Sequence, residues 1–302
     1  MLYDQIVTAA TKRKNLHNQL HSGKLLRFPG APNALMAKMI ERIGFEGIYI
    51  SGGVMANTLG FPDVGLTTLS EICYQAKYIV NATSLPTIID ADTGFGEVLN
   101  VARSIQELES LGLCGCHIED QQNPKRCGHL DNKSVLPVQE VVKKIIAAHK
   151  VKFDPNFLII ARTDARASEG IDKAIDRAKA YVDAGANMIF PEAMQEEHDF
   201  ELMRKALNVP ILANMTEFGK SKLLSTSELQ NLGINMVIYP VTLQRIAMRA
   251  VETALLDIKE KGHQNDQIAN MQSRADLYDL IDYEGYNQFD ESVFNFVLPS
   301  DQ

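Results

Sequence analysis

Short aliphatic runs of strand length recur along the chain, each ending in polar or acidic residues and most followed by apolar residues spaced three and four apart. In order they are LLRFPGAPN from Leu25, GIYISGG from Gly47, PTIIDADTG from Pro86, GCHIEDQ from Gly115, FLIIARTDA from Phe157, NMIFPEA from Asn187, PILANMTEFG from Pro210 and INMVIYPV from Ile234. Their apolar character is continuous rather than alternating, which suits parallel strands buried on both faces. Between them NALMAKMIERIG, VLNVARSIQELESLG, VQEVVKKIIAAHK, IDKAIDRAKAYVDAG and STSELQNLG have the spacing of amphipathic helices. Several stop at a glycine suited to a helix carboxyl end, at Gly44, Gly112, Gly185 and Gly233. Eight strand-helix units in about 250 residues predict an α/β fold, a parallel (β/α)8 TIM-type barrel. A doubly wound sheet is the competing architecture, but no Gly-rich phosphate loop of the dinucleotide-binding kind is present.

Composition narrows the chemistry. The 302 residues are 45% hydrophobic and 23% charged, enough chain for a large core. A net charge of −8 gives no general attraction to nucleic acid or anionic membranes, so an anionic substrate needs a local cationic pocket. No signal peptide and no segment of membrane-spanning length is evident, and the expected location is the cytoplasm. Four cysteines, Cys73, Cys114, Cys116 and Cys127, are too few for a secreted disulfide framework. Cys114 and Cys116 lack a second pair at zinc spacing and read as small residues of a buried strand.

In a barrel of this kind the chemistry lies at the carboxyl ends of the strands. Ser51-Gly52-Gly53, Asp90, Asp92, Glu119, Arg162, Glu192, Asn214 through Gly219 and Tyr239 all fall there. A single acidic residue at such a place often only caps the next helix; their accumulation on one rim points to a site. Asp90 and Asp92 stand at alternate positions, where a strand would aim both carboxylates the same way. With Glu119 one strand later they form an oxygen-rich cluster suited to Mg²⁺ or Mn²⁺ rather than to softer metals. Arginines on the same rim would fork onto substrate carboxylates.

Cys127 lies in the polar stretch QQNPKRCGHLDNKS, which has the length and composition of a lid. Inert packing would give a cysteine apolar neighbours; this one has Lys125, Arg126 and His129, which favour thiolate and make it a candidate acid, base or nucleophile.

KRCGH, IIDADTG with GFG following, SGG, ARTDA and NMTEFG together resemble the isocitrate lyase and phosphoenolpyruvate mutase superfamily, and within it the 2-methylisocitrate lyase family. The likeness runs from about Leu25 to Arg274. The cysteine loop is specific for the lyase branch, whereas the aspartate motif is shared across the superfamily. The resemblance implies one barrel domain over residues 1–302, its last helix exchanged between subunits. A tail at 263–302 would pack on a neighbour in a homotetramer of two swapped dimers. The polar break HQND fits a hinge for such an exchange, and a tail packed on its own barrel is the alternative.

The resemblance further implies an Mg²⁺-dependent carbon-carbon lyase of the oxo-acid type. Its reaction would be cleavage of the tricarboxylate (2S,3R)-2-methylisocitrate to pyruvate and succinate in the methylcitrate cycle of propionate catabolism. Carried over residue by residue, Asp90 and Asp92 would hold the ion, and Cys127 would protonate the succinate carbanion with Lys125, Arg126 and His129 tuning it. Ser51, Gly52 and Gly53 would bind the pyruvyl carboxylate, with Arg162 and Glu192 bordering that end and Glu119 joining the acidic cluster. Gly128, Asn214, Met215 and Thr216 would contact the succinyl portion, and Arg245 and Arg274 would clamp it. Tyr49 is the candidate base, supported by Asp63.

Mutases, phosphonopyruvate-type hydrolases and oxaloacetate decarboxylases of the superfamily lack the KRCGH cysteine. A short isocitrate lyase, giving glyoxylate and succinate, is the serious competitor. That enzyme typically reads KKCGH, is longer, and has Trp-Met-Glu where this chain has Phe190-Pro191-Glu192, which makes Phe190 the candidate specificity residue. A non-catalytic carboxylate-binding barrel is the reading from another class.

Overall fold

A computed structural model describes residues 7–126, 128 and 134–296. The chain divides into two compact units, one of Thr8–Arg245 and one that runs on from Ile246 and includes Val7.

The first unit contains β1 (Leu26–Pro29), β2 (Ile48–Ile50), β3 (Thr87–Asp90), β4 (Gly115–Glu119), β5 (Leu158–Thr163), β6 (Met188–Pro191), β7 (Leu212–Asn214) and β8 (Met236–Tyr239). All eight expected strands are present and every pairing is parallel. Five of them, β2 to β6, form one sheet in sequence order, and β1, β8 and β7 form another. Single parallel bridges, Gly30 to Tyr49 and Ile189 to Ile211, join the two and close the barrel. Its helices are α1 (Ala9–Leu20), α2 (Ala34–Ile43), α3 (Gly52–Thr58), α4 (Leu69–Asn81), α5 (Val98–Ser110), α6 (Val138–Val151), α7 (Arg166–Glu169), α8 (Ile171–Asp183), α9 (Glu197–Ala206) and α10 (Thr226–Asn231). Ends follow local chemistry: Thr68 opens α4 and Ser225 opens α10 with reciprocal capping boxes. Gly44 closes α2 in the left-handed conformation at φ 90°.

Strand periodicity sorts the core into two shells. Ile48, Ile50, Ile89, Ile159, Ile189 and Val237 face outward and pack with Ile72, Ile105, Ile145 and Tyr181 of the helices. Inside, Phe28, Tyr49, Ile88, Ile160, Met188, Phe190, Leu212 and Ile238 fill the lumen together with Leu16 and Leu20 of α1. Helix α1 lies across the amino ends of the strands. Lys12 Nζ donates to the Thr83 carbonyl at 2.6 Å, Arg13 Nε to the Leu113 carbonyl at 2.8 Å, and Asn235 Nδ2 to the Leu20 carbonyl at 3.3 Å.

Between Arg245 and Ile246 the division falls inside α11 (Thr242–Lys261), upstream of the HQND break. The second unit continues with a 3₁₀ turn (Asn265–Asn270), α12 (Arg274–Leu280) and α13 (Tyr283–Phe294). No residue of α11 is buried, and Ile246, Met248, Val251, Leu255, Leu256 and Ile258 are exposed along it. Among the described residues no helix is long and apolar enough to cross a membrane.

Candidate active site

Strand register stacks the polar side chains in layers. Asp90 pairs with His117 across β3 and β4; Glu119 pairs with Arg162, and Arg162 with Phe190, across β4, β5 and β6. In each strand these residues continue the inward parity of the apolar lumen below them, so the lumen turns from hydrocarbon to charge as it nears the carboxyl end. There it opens into a small cavity of about 70 Å³ lined by Tyr49, Ser51, Gly53, Asp63, Asp90, Lys125, Arg126, Gly128, Arg162, Phe190, Glu192, Asn214 and Thr216, with Pro240 and Val241.

The acid pair forms differently from the expectation. β3 ends at Asp90, and Asp92 sits in the following turn at φ 46°, so strand alternation does not align the two carboxylates. The turn does so instead: the Asp92 N–H donates to Asp90 Oδ1 at 2.9 Å, and the Gly52 N–H donates to Asp90 Oδ2 at 3.2 Å. The Gly52 N–H is therefore already engaged with Asp90. A Cβ at Gly52 would lie 2.9 Å from Asp90 Oδ2, so glycine is what lets α3 approach the pair. Ser51 caps α3, its Oγ accepting from Val54.

Lys125 is buried between two carboxylates, with Nζ 2.5 Å from Asp63 Oδ1 and 2.6 Å from Asp92 Oδ1. Burial and neighbouring Asp90 push Asp92 up to about 6 against the pull of Lys125. Burial would raise Asp90 as well, but the cationic groups around it and the Asp92 N–H outweigh that and hold it below the usual carboxylate range. Burial, with Asp164 and Asp90 adding to it, lifts Glu119 well above its ordinary value. Neither Glu119 carboxylate oxygen has a hydrogen bond among the described residues, and Arg162 Nη1 reaches Oε2 at 3.3 Å as an ion pair.

Arg162 is held on one edge by Asp164, with Nε and Nη2 donating to its two oxygens at 2.9 and 3.1 Å. Its remaining Nη1 faces Glu119 and, at 3.5 Å, Glu192. The guanidinium carbon stands 5.2 Å over the Phe190 ring, and that ring meets His117 edge-on. Glu192 accepts from the Ala193 N–H and from Asn214 Nδ2.

His117, which the sequence motifs did not single out, connects two expected residues. Its Nε2 lies 2.8 Å from Tyr49 Oη and its Nδ1 lies 3.6 Å from Asp90 Oδ1. Burial lowers His117 to about 4, and burial with nearby Asp90 raises the Tyr49 hydroxyl well above its usual range. At neutral pH the phenol is protonated and the imidazole neutral, so the hydroxyl donates to Nε2 and the imidazole proton sits on Nδ1, facing Asp90.

Other expected residues lie elsewhere. Met215 has outward parity, packs in the outer core and accepts the Leu224 N–H at 3.2 Å; its side chain faces away from the cavity because it follows inward-facing Asn214. Arg245 does not line the cavity and pairs with Glu217 at 3.0 Å. Arg274 opens α12 in the second unit. Cys127 and His129 lie outside the described residues. Gly128 reaches the site: a Cβ there would be 2.4 Å from Arg162 Nη2. Arg126 is exposed, and its main chain is held by Gln121, whose side chain bonds both the Arg126 N–H and its carbonyl.

Among the described residues no three His, Cys, Asp or Glu side chains converge as a complete ligand set. Six carboxylates (Asp63, Asp90, Asp92, Glu119, Asp164 and Glu192) surround three cationic side chains (Lys125, Arg126 and Arg162). Hard oxygen donors short of positive charge, with the Glu119 oxygens lacking hydrogen bonds among the described residues, fit a small divalent cation.

A closed parallel barrel with a carboxylate-rich mouth and an arginine aimed into it defines an enzyme site of the carboxylate-handling kind. The sequence model of the phosphoenolpyruvate phosphomutase family matches residues 16–259, and the chain belongs to that family. Among curated relatives, it is 51% identical to the probable 2-methylisocitrate lyase 2 of Corynebacterium glutamicum, over 99% of this chain and 97% of that one. It is 44% identical to the 2-methylisocitrate lyase of Escherichia coli, over 89% of this chain and 92% of that one. Among solved structures, 2,3-dimethylmalate lyase superposes with a TM-score of 0.87 at 29% identity, covering 96% of each chain. A phosphonopyruvate hydrolase complex with oxalate and Mg²⁺ gives a TM-score of 0.84 at 27% identity, covering 94% of this chain and 99% of that one.

Proposed function

We propose that this enzyme is a 2-methylisocitrate lyase, cleaving (2S,3R)-2-methylisocitrate to pyruvate and succinate. The observation that carries the reading is 51% identity to a relative of that name along 99% of the chain. The cavity chemistry supports it: Arg162 turns its Nη1 into the cavity between Glu119 and Glu192, Tyr49 is backed by His117, and a buried acid pair stands beside them.

Asp90 and Asp92, directly or through water, would hold Mg²⁺, or Mn²⁺ in its place. A divalent cation bound there supplies Lewis-acid polarisation of the substrate hydroxyl and carboxylate oxygens. Tyr49 Oη takes the hydroxyl proton as it passes its own to His117 Nε2, and the imidazolium so formed faces Asp90. The C2–C3 bond breaks, its electron pair going to the succinyl carbon as the hydroxyl carbon becomes the ketone of pyruvate. Cys127 gives that carbon its proton, and both protein groups then exchange protons with solvent. Arg162 takes a substrate carboxylate, Lys125 keeps Asp63 and Asp92 in place, and Ser51 and Gly53 border the pyruvyl end. Asn214, Thr216 and Gly128 border the succinyl end, and Phe190 sets the room for the substrate methyl.

The exposed apolar face of α11 fits a helix exchanged between subunits, with two exchanged dimers making the tetramer. Scarce cysteines, with Cys73, Cys114 and Cys116 free, fit a cytoplasmic enzyme. The test is a metal-dependent assay of the purified protein, following pyruvate from 2-methylisocitrate and glyoxylate from isocitrate in parallel. Pyruvate with little glyoxylate is expected. Predominant glyoxylate would overturn the substrate assignment, and neither product would overturn the lyase reading.

A further inference from the structure

Asp120 follows Glu119 but points out of the lumen, and its enclosed carboxylate gathers three donors. Thr163 Oγ1 donates to Oδ2 at 2.7 Å, Tyr181 Oη to Oδ2 at 2.9 Å, and the Asp164 N–H to Oδ1 at 2.9 Å. Arg177 Nη1 stands 3.6 Å from Oδ2 and is fixed in turn by a two-pronged contact with Glu169 and by the Leu136 carbonyl. The main chain of Asp120 joins the same segments. Its N–H donates to the Arg162 carbonyl at 3.2 Å, and its carbonyl accepts from the Leu136 N–H at 2.8 Å.

Asp120 therefore ties down three successive points of β5 and its exit: the carbonyl of Arg162, the hydroxyl of Thr163 and the N–H of Asp164. Asp164 is the residue whose carboxylate grips Nε and Nη2 of Arg162 and leaves Nη1 for the cavity. Neither Asp120 nor Asp164 lines that cavity. A buried acid is a costly way to fill space, and apolar residues of similar volume would pack as well. Three donors converging on one carboxylate also fix direction, which apolar packing does not.

We propose that Asp120 is a positioning residue for Arg162: by fixing the Thr163–Asp164 segment it aims the Nη1 side of the guanidinium, which enters the cavity between Glu119 and Glu192, at a carboxylate of the substrate. The inference rests on reading the cavity as a carboxylate-binding site. Asp120→Asn keeps the shape and an acceptor for the Asp164 N–H, but its amide nitrogen cannot accept from Thr163 or Tyr181. KM for 2-methylisocitrate should rise by about tenfold, the scale of one misaligned hydrogen bond to a charged group, with a smaller change in kcat. Oxalate binding in the presence of Mg²⁺, measured by calorimetry, should weaken by a similar factor. A purely structural role would lower the thermal midpoint and the active fraction while leaving KM and oxalate affinity unchanged, and that result overturns the proposal. Tyr181→Phe removes one donor and should move both quantities in the same direction by less. It decides the matter where Asp120→Asn does not fold, unchanged values again overturning the idea. A wild-type protein that binds oxalate but does not turn over 2-methylisocitrate sinks the substrate assignment and leaves the oxalate comparison to decide the positioning role. One that binds no oxalate overturns both.

Discussion

Gly128→Ala tests whether the segment after β4 must touch the arginine for catalysis. At this position the question is one of space. The added Cβ would lie 2.4 Å from Arg162 Nη2, 2.5 Å from Glu192 Cγ and 2.7 Å from Glu192 Cδ, where ordinary contact begins at 3.4 Å. Those neighbours cannot yield cheaply. Asp164 grips Arg162 at 2.9 and 3.1 Å, and the Ala193 N–H holds Glu192 at 3.0 Å. Either the chain at position 128 withdraws by about 1 Å or Arg162 and Glu192 are displaced by as much from their places in the cavity. Misplacing a reacting group by that much costs on the order of 100-fold. The assay couples pyruvate release to NADH oxidation by lactate dehydrogenase. We expect kcat/KM to fall by about two orders of magnitude, with a thermal midpoint near that of the wild type because the barrel core is untouched. A variant whose kcat/KM stays within about threefold of wild type would refute the reasoning, since the closed contact would then play no part in the transition state.

Asp92→Ala should abolish metal-dependent turnover and weaken Mn²⁺ binding measured by electron paramagnetic resonance; wild-type Mn²⁺ affinity in the variant would remove Asp92 from the ion site. Burial and neighbouring Asp164 raise Asp120 to about 6 from its ordinary 3.8. Its folded-state proton therefore contributes stability that is complete below pH 3.8 and lost as pH rises through 6. Asparagine has no such dependence, so urea unfolding should show Asp120→Asn gaining about 2 kcal/mol on the wild type between pH 4 and pH 7; a constant difference would contradict this. Leu255→Asp places a charge on the exposed apolar face of α11 and should shift light-scattering mass toward smaller species, whereas an unchanged mass would take that face out of the assembly.

How much of this was legible in the sequence depends on whether a feature is local. All eight strands could be read because parallel strands buried on both faces are continuous apolar runs. Helices α3 and α7 are short, with seven and four residues, and leave no periodic trace. Asp90, Glu119, Arg162, Glu192 and Asn214 were visible as polar residues ending strands, and the lumen gathers them by parity. The Asp92 turn was misread as strand because one positive φ realigns it, which no spacing rule detects. Met215 was misplaced by one step of the same parity that places Asn214 and Thr216. His117, Asp120 and Asp164 are defined by partners on other strands and helices: Tyr49 is 68 positions from His117, and Tyr181 is 61 from Asp120. A polar residue inside an apolar run, as His117 is in GCHIEDQ, was the available signal.

Helix α1 makes the barrel a blind well. With Leu16 and Leu20 filling its floor, both fragments of a cleaved substrate must leave by the opening through which the substrate came. Departure is then a queue: the fragment seated deeper waits for the shallower one. Product inhibition should reflect that order, with the last fragment out competing directly with substrate and the first one out unable to do so.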